Sequence, residues 1–283
     1  MLKIDVVRSV AALRAVVRPQ KRGGQRIGLV PTMGALHQGH LALVKAARRG
    51  SDFVVATIFV NPLQFNVAGD LAAYPRDEAN DLSLLASAGV DLVFIPSVAE
   101  MYPRGFATEV RVSGLTDRLE GTTRPGHFEG VATVVTKLFI QAEPDIALFG
   151  EKDFQQLQVI RRVARDLDLP VEILGAPTVR EPDGLAMSSR NRKLSDSERK
   201  TAGRLPEILR RAVAQLASGA AAAPILESAR AELQAAGFGP VDYVELCDAE
   251  TLHPLSAAAP GARLFAAVHL GSTRLIDNWP VLP

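Results

Sequence analysis

Short apolar runs alternate with amphipathic segments between Ile27 and Leu174. Strands that are buried on both faces have almost continuously apolar sequences, because neither side of the strand meets water. Five runs of this kind predict the strands of a parallel sheet: Ile27–Val30, Phe53–Val60, Val90–Ile95, Ile146–Phe149 and Val171–Leu174.

Four segments between these runs have apolar residues at helical spacing: Leu41–Arg49, Glu78–Ser87, Val131–Gln141 and Phe154–Leu167. In the last segment, Leu157, Ile160 and Ala164 fall on one stripe. This alternation predicts an α/β fold with a Rossmann-like, doubly wound parallel sheet, which binds ligands at the carboxyl ends of its strands. The segment Arg104–Arg124 does not follow the alternation, and we expect an excursion there.

The pattern changes after Asn191. Helical spacing predicts helices at Asp196–Leu216 and Ala223–Ala236, and apolar runs predict strands at Val241–Leu246, Leu264–Leu270 and Arg274–Ile276. Helices followed by closely connected strands are typical of a small α+β domain. We therefore predict a Rossmann-like domain over residues 1–177 and an α+β lid domain over residues 178–283, with a hinge between Pro177 and Leu194.

Composition narrows the class of protein. The length of 283 residues favours two domains, and 47% hydrophobic residues supply material for a buried core. The near balance of 32 Lys and Arg against 31 Asp and Glu provides no general attraction for nucleic acid or an acidic membrane surface. The single cysteine, Cys247, excludes an intrachain disulfide and a cysteine-built zinc site, and we expect an inert core thiol.

The sequence also lacks the signals of export. Residues 1–10 contain no apolar segment typical of a secretory signal. The longest uncharged stretch, Ile27–Val44, is broken by proline, histidine and glycine, so it does not predict a membrane span. We expect a cytoplasmic globular enzyme with neither a membrane nor a nucleic-acid partner.

The densest group of chemistry-bearing residues directly follows the first predicted strand. From Pro31 to His40 the sequence is Pro-Thr-Met-Gly-Ala-Leu-His-Gln-Gly-His. Proline and Gly34 favour a turn, and a helix that begins near Gly39 would direct its free N–H groups at an anion. His37 lies three residues before His40, a spacing that lets both imidazoles face one side of the first turn and donate to a phosphate chain.

Two other interpretations of this pair remain open from the residues alone. His-x-x-His could be a pair of metal ligands, although the glutamate of a metalloprotease helix and a third ligand are missing. The two residues could also be ordinary surface histidines beside a turn.

The motif resembles the His-x-Gly-His signature of the nucleotidylyltransferase superfamily. Four further motifs occur in the chain, at Ile58–Phe65, Arg124–Phe128, Gly150–Gln156 and Met187–Asn191. With these motifs, the chain resembles the pantothenate synthetase (pantoate–β-alanine ligase) family from Ile27 to Asn191, and Leu275–Asn278 resembles the family's ending.

This resemblance implies a ligase that joins (R)-pantoate to β-alanine, with ATP as co-substrate, Mg²⁺ and a pantoyl adenylate intermediate, and that releases AMP and pyrophosphate. It also implies a homodimer, and it leaves open which protein groups, if any, bind the metal. Two alternatives are a related nucleotidylyltransferase that stops at a dinucleotide or adenylated cofactor, and a nucleotide-sensing module without turnover.

The resemblance also implies the site residues. The catalytic groups would be His37, His40, Lys152, Ser188, Ser189 and Arg190. The nucleotide contacts would be Met33, Gly34, Ala35, Leu36, His37, Gln38, Gly39, His40, Gly150, Glu151, Lys152, Asp153, Val179, Met187, Ser188, Ser189 and Arg190. The substrate contacts would be Asn61, Gln64 and Gln156.

The residue types suit adenylation. A glycine at 150 lets backbone approach a nucleotide, and Lys152 supplies a compact cation for phosphate. Hydroxyls and a guanidinium at 188–190 suit departing pyrophosphate. Neutral amides suit a carboxylate that must stay nucleophilic, because a strong ion pair would hold it back. The alternatives are a helix N-cap for Asp153, a solvated linker for residues 187–190 and an exposed helix position for Gln156.

Residues near these motifs carry weaker predictions. Arg124 and His127 could contact phosphate or only solvent. Asp81 is a possible magnesium contact, but a solvated helix carboxylate fits its position better. Three aromatic residues suit either a pocket wall or plain core, namely Phe59, Phe65 and Phe154.

Overall fold

The computed structural model describes residues 4–66 and 68–282. The chain divides into two compact units. The first unit comprises Met1–Glu151 and Gln155–Pro177, and the second comprises Lys152–Phe154 and Thr178–Pro283. The short segment Lys152–Phe154 therefore belongs with the second unit, although the chain on either side of it belongs to the first.

The first unit contains a six-stranded parallel sheet. Its strands are β1 (Asp5–Val7), β2 (Ile27–Thr32), β3 (Phe53–Ile58), β4 (Leu92–Phe94), β5 (Ile146–Gly150) and β6 (Glu172–Ala176). The strand order is β1-β4-β3-β2-β5-β6, and every pair is parallel. From β2 the chain continues to β3 on one side, and from β5 it continues to β6 on the other side. The order in which strands are added therefore reverses between β2 and β5, which is where doubly wound folds bind ligands. The predicted Rossmann-like class is confirmed.

Eight helices lie before, between or after these strands along the described chain. They are α1 (Val10–Arg22), α2 (Gln38–Gly50), α3 (Ala68–Ala72), α4 (Glu78–Ala88), α5 (Val98–Met101), α6 (Glu120–Thr123), α7 (His127–Ala142) and α8 (Phe154–Asp166). On α8, Leu157 and Ile160 are fully buried and Ala164 is 6% exposed, so the predicted apolar stripe is confirmed. Residues 104–119 contain turns, bends and irregular backbone but neither helix nor strand, as expected for an excursion.

The sequence pattern did not predict β1 or α1. The three residues of β1 are exposed or only partly buried, so they lack the continuous apolar run that marks an interior strand. Helix α1 buries Leu13 and Val17 on one face and carries Pro19 within it, and a proline inside a helical pattern ordinarily marks the end of a helix.

The second unit is an α+β structure. Its helices are α9 (Asp196–Ala202), α10 (Arg204–Ala217) and α11 (Ala222–Ala235), and its strands are β7 (Val241–Asp248), β8 (Ala262–Leu270) and β9 (Thr273–Pro280). The strands form an antiparallel sheet in the order β7-β8-β9. Cys247 on β7 is fully buried, as expected of a core thiol.

Two predictions for this unit were wrong in extent. The single helix expected over 196–216 is broken at Gly203, because Pro206 has no N–H to donate to the carbonyl of residue 202. Strand β9 continues beyond Ile276 to Pro280, since Asp277 and Asn278 are polar but buried, at 2% and 4% exposure. A hydrophobic pattern cannot detect a strand that buries polar side chains.

Within residues 4–66 and 68–282, none of the helices combines the length and apolar character needed to cross a bilayer.

The core of the first unit provides a stability prediction. Leu157→Ala deletes a fully buried side chain from α8 and should cost about 2–5 kcal/mol of unfolding free energy, because the cavity collapses only partly. Urea unfolding measures the change. Leu167→Ala, at a leucine that is 49% exposed just beyond the same helix, is the control and should cost no more than about 0.5 kcal/mol. Equal losses for the two variants would contradict the assigned core.

Candidate active site

The loop that joins β2 to α2 carries the paired histidines. Strand β2 ends at Thr32 and α2 begins at Gln38. Between them, Gly34 and Ala35 have positive φ angles of 81° and 51°, a region that glycine adopts freely and alanine only with strain. The chain therefore turns sharply at the carboxyl end of β2, and the N-terminus of α2 lies at that edge of the sheet.

The two imidazoles cap this helix reciprocally. His37 is the N-cap residue, and its Nδ1 accepts from the N–H of Gly39 at 3.1 Å. The Nδ1 of His40 accepts in turn from the N–H of His37 at 3.3 Å. The ring centroids are 4.2 Å apart, so the rings lie together at the first turn, as their spacing predicts. Because each Nδ1 accepts, each neutral ring carries its proton on Nε2, so that the N–H donor of each ring is on Nε2.

A buried carboxylate holds this loop. Asp81, on α4, is 1% exposed, and its Oδ2 and Oδ1 accept from the N–H groups of Ala35 and Leu36, both at 2.9 Å. A Cβ at Gly34 would lie 2.8 Å from Asp81 Oδ2, so only glycine allows this approach. The prediction of a solvated helix carboxylate is therefore wrong: the apparently polar face of α4 is covered by the β2–α2 loop, which sequence periodicity cannot show.

A second polar group follows β3. Asn61 caps the 3₁₀ turn Pro62–Gln64 and is 1% exposed. Its Nδ2 donates to Gln64 Oε1 at 3.1 Å and to the carbonyl of Gly130 at 3.0 Å, and its Oδ1 accepts from the N–H of Leu63 at 3.3 Å. Both ends of the Asn61 amide thus contact protein groups, and the amide orients Gln64.

Gln64 connects this turn to the histidine loop. Its Nε2 lies 3.1 Å from the sulfur of Met33, and its backbone carbonyl lies 2.9 Å from Nδ1 of His127. The structure thus brings together the predicted residues Met33 and Gln64.

His127 and Arg124 differ in exposure. His127 is 6% exposed, and its Nε2 lies 3.1 Å from the guanidinium of Arg124, which also pairs with Glu120 at 3.7 Å. The expectation of an open position is wrong for His127, because α7 begins there and buries the ring against the Gln64 carbonyl, whereas a phosphate contact of the partly exposed Arg124 stays a prediction. His127 thereby supports the backbone of Gln64.

Helix α7 also approaches the turn at Gly130. A Cβ at this position would lie 2.4 Å from the carbonyl oxygen of Leu63 and 2.7 Å from the nitrogen of Gln64. Only the absence of a side chain permits this backbone contact, so Gly130 is required for the position of the amide pair.

Tyr102 completes the support of Asn61. Its hydroxyl donates to Asn61 Oδ1 at 2.7 Å. Burial raises the pKa of the Tyr102 phenol well above its ordinary value, because the charged form is poorly solvated there, so the hydroxyl remains a donor. The ring of Phe59, 5% exposed, lies 6.1 Å from the Tyr102 ring, which places Phe59 in the core behind the turn.

Adjacent glutamines on α8 differ in their surroundings. Gln155 is 4% exposed, donates to the carbonyls of Leu115 and Arg118 at 2.8 Å each, and accepts from the N–H of Glu120 at 3.0 Å. Gln156 is partly buried rather than fully exposed. Sequence reasoning missed Gln155, which anchors the excursion, because a glutamine in a helix shows no sign of its distant backbone partners.

In the second unit, the segment Lys152–Phe154 presents a cation and an anion side by side. Lys152 Nζ lies 3.3 Å from Asp153 Oδ1, and their side chains are 17% and 48% exposed. Phe154 is 6% exposed, and its ring packs 6.0 Å from that of Phe265, so it forms core.

The Met-Ser-Ser-Arg motif lies at the end of a hairpin in the same unit. The N–H of Met187 donates to the carbonyl of Val179 at 2.9 Å. Ser188 caps a 3₁₀ helix over Ser189–Lys193 by accepting from the N–H of Arg190 at 3.2 Å. Both serines are partly buried and the arginine is exposed, so hydroxyls and guanidinium occupy one tight turn.

The described residues place no third histidine, cysteine or carboxylate ligand beside the histidine pair. In the part of the chain that the structure describes, no group of three His, Cys, Asp or Glu residues could hold a metal ion. The reciprocal cap instead occupies Nδ1 of both rings.

The comparison with known proteins identifies the family. Residues 5–280 match the family described as pantoate-beta-alanine ligase. The chain belongs to the pantoate–β-alanine ligase family. The pantothenate synthetase of Chelativorans sp. is 54% identical over 280 residues, which cover 99% of each chain. That of Caulobacter vibrioides is 55% identical over 279 residues, which cover 98% of each chain.

Solved structures agree with this assignment. The crystal structure of pantothenate synthetase from Thermus thermophilus has a TM-score of 0.93 and 51% identity, covering 99% of this chain and 100% of that one. The pantoate-beta-alanine ligase from Francisella tularensis, complexed with beta-gamma ATP and beta-alanine, has a TM-score of 0.85 and 34% identity, covering 99% and 98%.

The family membership defines the reaction. The enzyme condenses (R)-pantoate with β-alanine at the expense of ATP, giving pantothenate, AMP and pyrophosphate through a pantoyl adenylate. A nucleotidylyltransferase that stops at a dinucleotide and a nucleotide sensor are thereby excluded.

The hold of Asp81 on the loop is testable. Asp81→Asn keeps the shape of the side chain but turns an N–H₂ group toward one backbone donor, which should cost about 1–3 kcal/mol of unfolding free energy. Urea unfolding measures it. Asp77→Asn on the same helix is the control: this residue is the N-cap, where Asn serves as well as Asp, and the change should stay within about 0.5 kcal/mol. A wild-type midpoint for Asp81→Asn would contradict the role of this carboxylate.

Proposed function

We propose that the paired imidazoles of His37 and His40 stabilise the charge that grows on ATP when pantoate attacks it. The reciprocal cap carries this proposal: it fixes two rings 4.2 Å apart at the N-terminus of α2 and leaves Nε2 of each ring as the donor. The positive end of the α2 dipole lies at the same place and favours an anion. Such preorganised donors act without rearrangement at the moment of reaction.

In the first step, the pantoate carboxylate attacks the α-phosphorus and pyrophosphate leaves. His40 is the main stabiliser of the developing charge, and His37 mainly contacts the nucleotide. Lys152, Ser188, Ser189 and Arg190 contact the triphosphate and stabilise departing pyrophosphate. The remaining nucleotide contacts are the residues 33–36, 38–39, 150–151, 153, 179 and 187.

Gln64 and Gln156 bind pantoate in this proposal. A neutral amide holds a hydroxyl or carboxylate without the strong ion pair that would reduce nucleophilicity. Asn61, whose amide contacts Gln64 and the Gly130 carbonyl, acts on pantoate through the position of Gln64. In the second step, the β-alanine amine attacks the acyl carbon of the adenylate and AMP leaves. This step needs mainly positioning, because the mixed anhydride is already activated.

Mg²⁺ enters with the nucleotide in this proposal. Mg²⁺ is usually held by substrate phosphates and water with only one or two carboxylates. Among the described residues no three His, Cys, Asp or Glu side chains form a metal site, so phosphates and water would supply most of the ligands of the ion. When bound, the ion would offset negative charge on the phosphates. A homodimer in the cytoplasm, with residues 178–283 acting as a lid, is likewise proposed from the family resemblance.

Loss of one imidazole tests the proposed charge stabilisation. His40→Ala removes the imidazole with its Nε2 donor, so pantoate-dependent pyrophosphate exchange should fall about 10²- to 10³-fold. His253→Ala, at an exposed histidine, is the matched control and should leave exchange unchanged. Near-normal exchange by folded His40→Ala would remove His40 from this role.

Loss of one amide tests the substrate contact. Gln156→Ala should raise the pantoate KM about 5- to 150-fold, because an unmatched polar group of the ligand costs about 1–3 kcal/mol. ATP binding should barely change. Gln158→Ala, two residues along the same helix and also partly buried, is the control. Normal pantoate binding with weakened ATP binding would instead assign Gln156 to the nucleotide.

A further inference from the structure

Two adjacent buried polar residues on β9 stand outside the site described above. Asp277 is 2% exposed and Asn278 is 4% exposed. Burial of such groups is costly unless they are paired. Their partners are the segments that carry the proposed phosphate-binding residues of the second unit.

Asp277 pairs with Arg180. Its Oδ2 and Oδ1 accept from the two ends of the guanidinium at 2.8 and 3.0 Å, and the Asp277 side chain is fully buried. The guanidinium also lies over the ring of Trp279, 3.7 Å from its centre, while the indole N–H donates to Asp277 Oδ2 at 3.1 Å. A forked, stacked arginine of this kind has one well-defined orientation.

Arg180 in turn holds the hairpin that leads into residues 187–190. The backbones of Arg180 and Ala186 form an antiparallel β-bridge across the hairpin, and the Arg180 guanidinium donates to the carbonyl of Gly184 at 3.0 Å. The next residue after Ala186 is Met187, where the Met-Ser-Ser-Arg motif begins. The Asp277–Arg180 pair therefore fixes the base of that motif.

Asn278 holds the other segment. Its Nδ2 donates to the backbone carbonyl of Lys152 at 2.9 Å, and its Oδ1 accepts from the guanidinium of Arg263. That guanidinium lies over the Phe154 ring, 3.8 Å from its centre. Two successive contacts thus attach Lys152–Phe154 to the sheet.

Adjacent residues of a strand project to opposite faces. Asp277 and Trp279 share one face with Arg180, and Asn278 lies on the other face with Arg263, which comes from β8. One strand thereby holds the two segments through two different side chains.

We propose that Asp277 and Asn278 are positioning residues for adenylation. Asp277 acts through Arg180 on the loop 187–190, and Asn278 acts through the Lys152 carbonyl. This proposal rests on the proposed roles of Lys152 and Arg190. Neither positioning residue contacts the reacting atoms; each sets the orientation of a segment whose cation does, and small misplacement of such groups is costly.

The test combines conservative variants with removal of the residues through which they act. Asn278→Asp keeps the acceptor for Arg263 but loses the donor to the Lys152 carbonyl. Arg180→Lys keeps a cation beside Asp277 but loses the two parallel hydrogen bonds of the guanidinium. Each should lower the rate of pantoate-dependent pyrophosphate exchange about 10- to 100-fold with a pantoate KM within about threefold. Arg211→Gln, which breaks exposed pairs with Glu207 and Glu232 in the same unit, is the control and should leave the rate unchanged.

Double variants separate positioning from a general loss of folded protein. In a Lys152→Ala background, Asn278→Asp should cost less than about twofold, while in an Arg190→Ala background it should keep its full cost. Arg180→Lys should show the opposite pattern. Equal costs in every background would overturn the proposal. If Lys152→Ala and Arg190→Ala alone exchange pyrophosphate normally, the proposed roles of these two cations fail and the positioning proposal falls with them.

Discussion

The loop at the carboxyl end of β2 depends on the carboxylate of Asp81. Two successive backbone N–H groups, of Ala35 and Leu36, donate to its two oxygens, and Gly34 makes room for it. These contacts offset the strain of a positive φ at Ala35. With the loop held in this way, His37 reaches the N-cap position of α2, and the reciprocal bonds with His40 set the direction of both rings.

The same principle recurs at the amide pair. Gln64 is held through its backbone by His127, through its side chain by Asn61, and through the close approach that Gly130 permits. Tyr102 in turn orients Asn61, and its burial keeps its hydroxyl protonated. The histidine loop and Gln64 are therefore both supported by buried polar residues, and the bonds at Asn61 and Gln64 restrict these amides to one orientation before any ligand arrives.

In the second unit, polar burial performs a comparable task. Strand β9 has Asp277 and Asn278 at two buried positions. Well-packed hydrophobic side chains at these positions would stabilise the core at least as well. The buried polar pairs fix orientation instead. The bidentate Arg180–Asp277 pair and the hydrogen bond from the Asn278 amide to the Lys152 carbonyl each permit one geometry.

The sequence by itself determined the chain order of β2 to β6, the parallel character of the first sheet and the motif residues at its carboxyl edge. Continuous apolar runs such as Ile146–Phe149 and the stripe of Leu157 and Ile160 are local properties, and local periodicity reports burial directly. The family resemblance then added the reaction. The roles of Asp81, His127, Gln155 and Asp277 were decided only by the tertiary structure. A polar side chain has the same appearance in the sequence whether it faces water or a backbone donor from a segment 46 residues away, as Asp81 does with Ala35. Hydrogen bonds between distant segments leave no period in the sequence, because their partners are chosen by the packing of the whole fold.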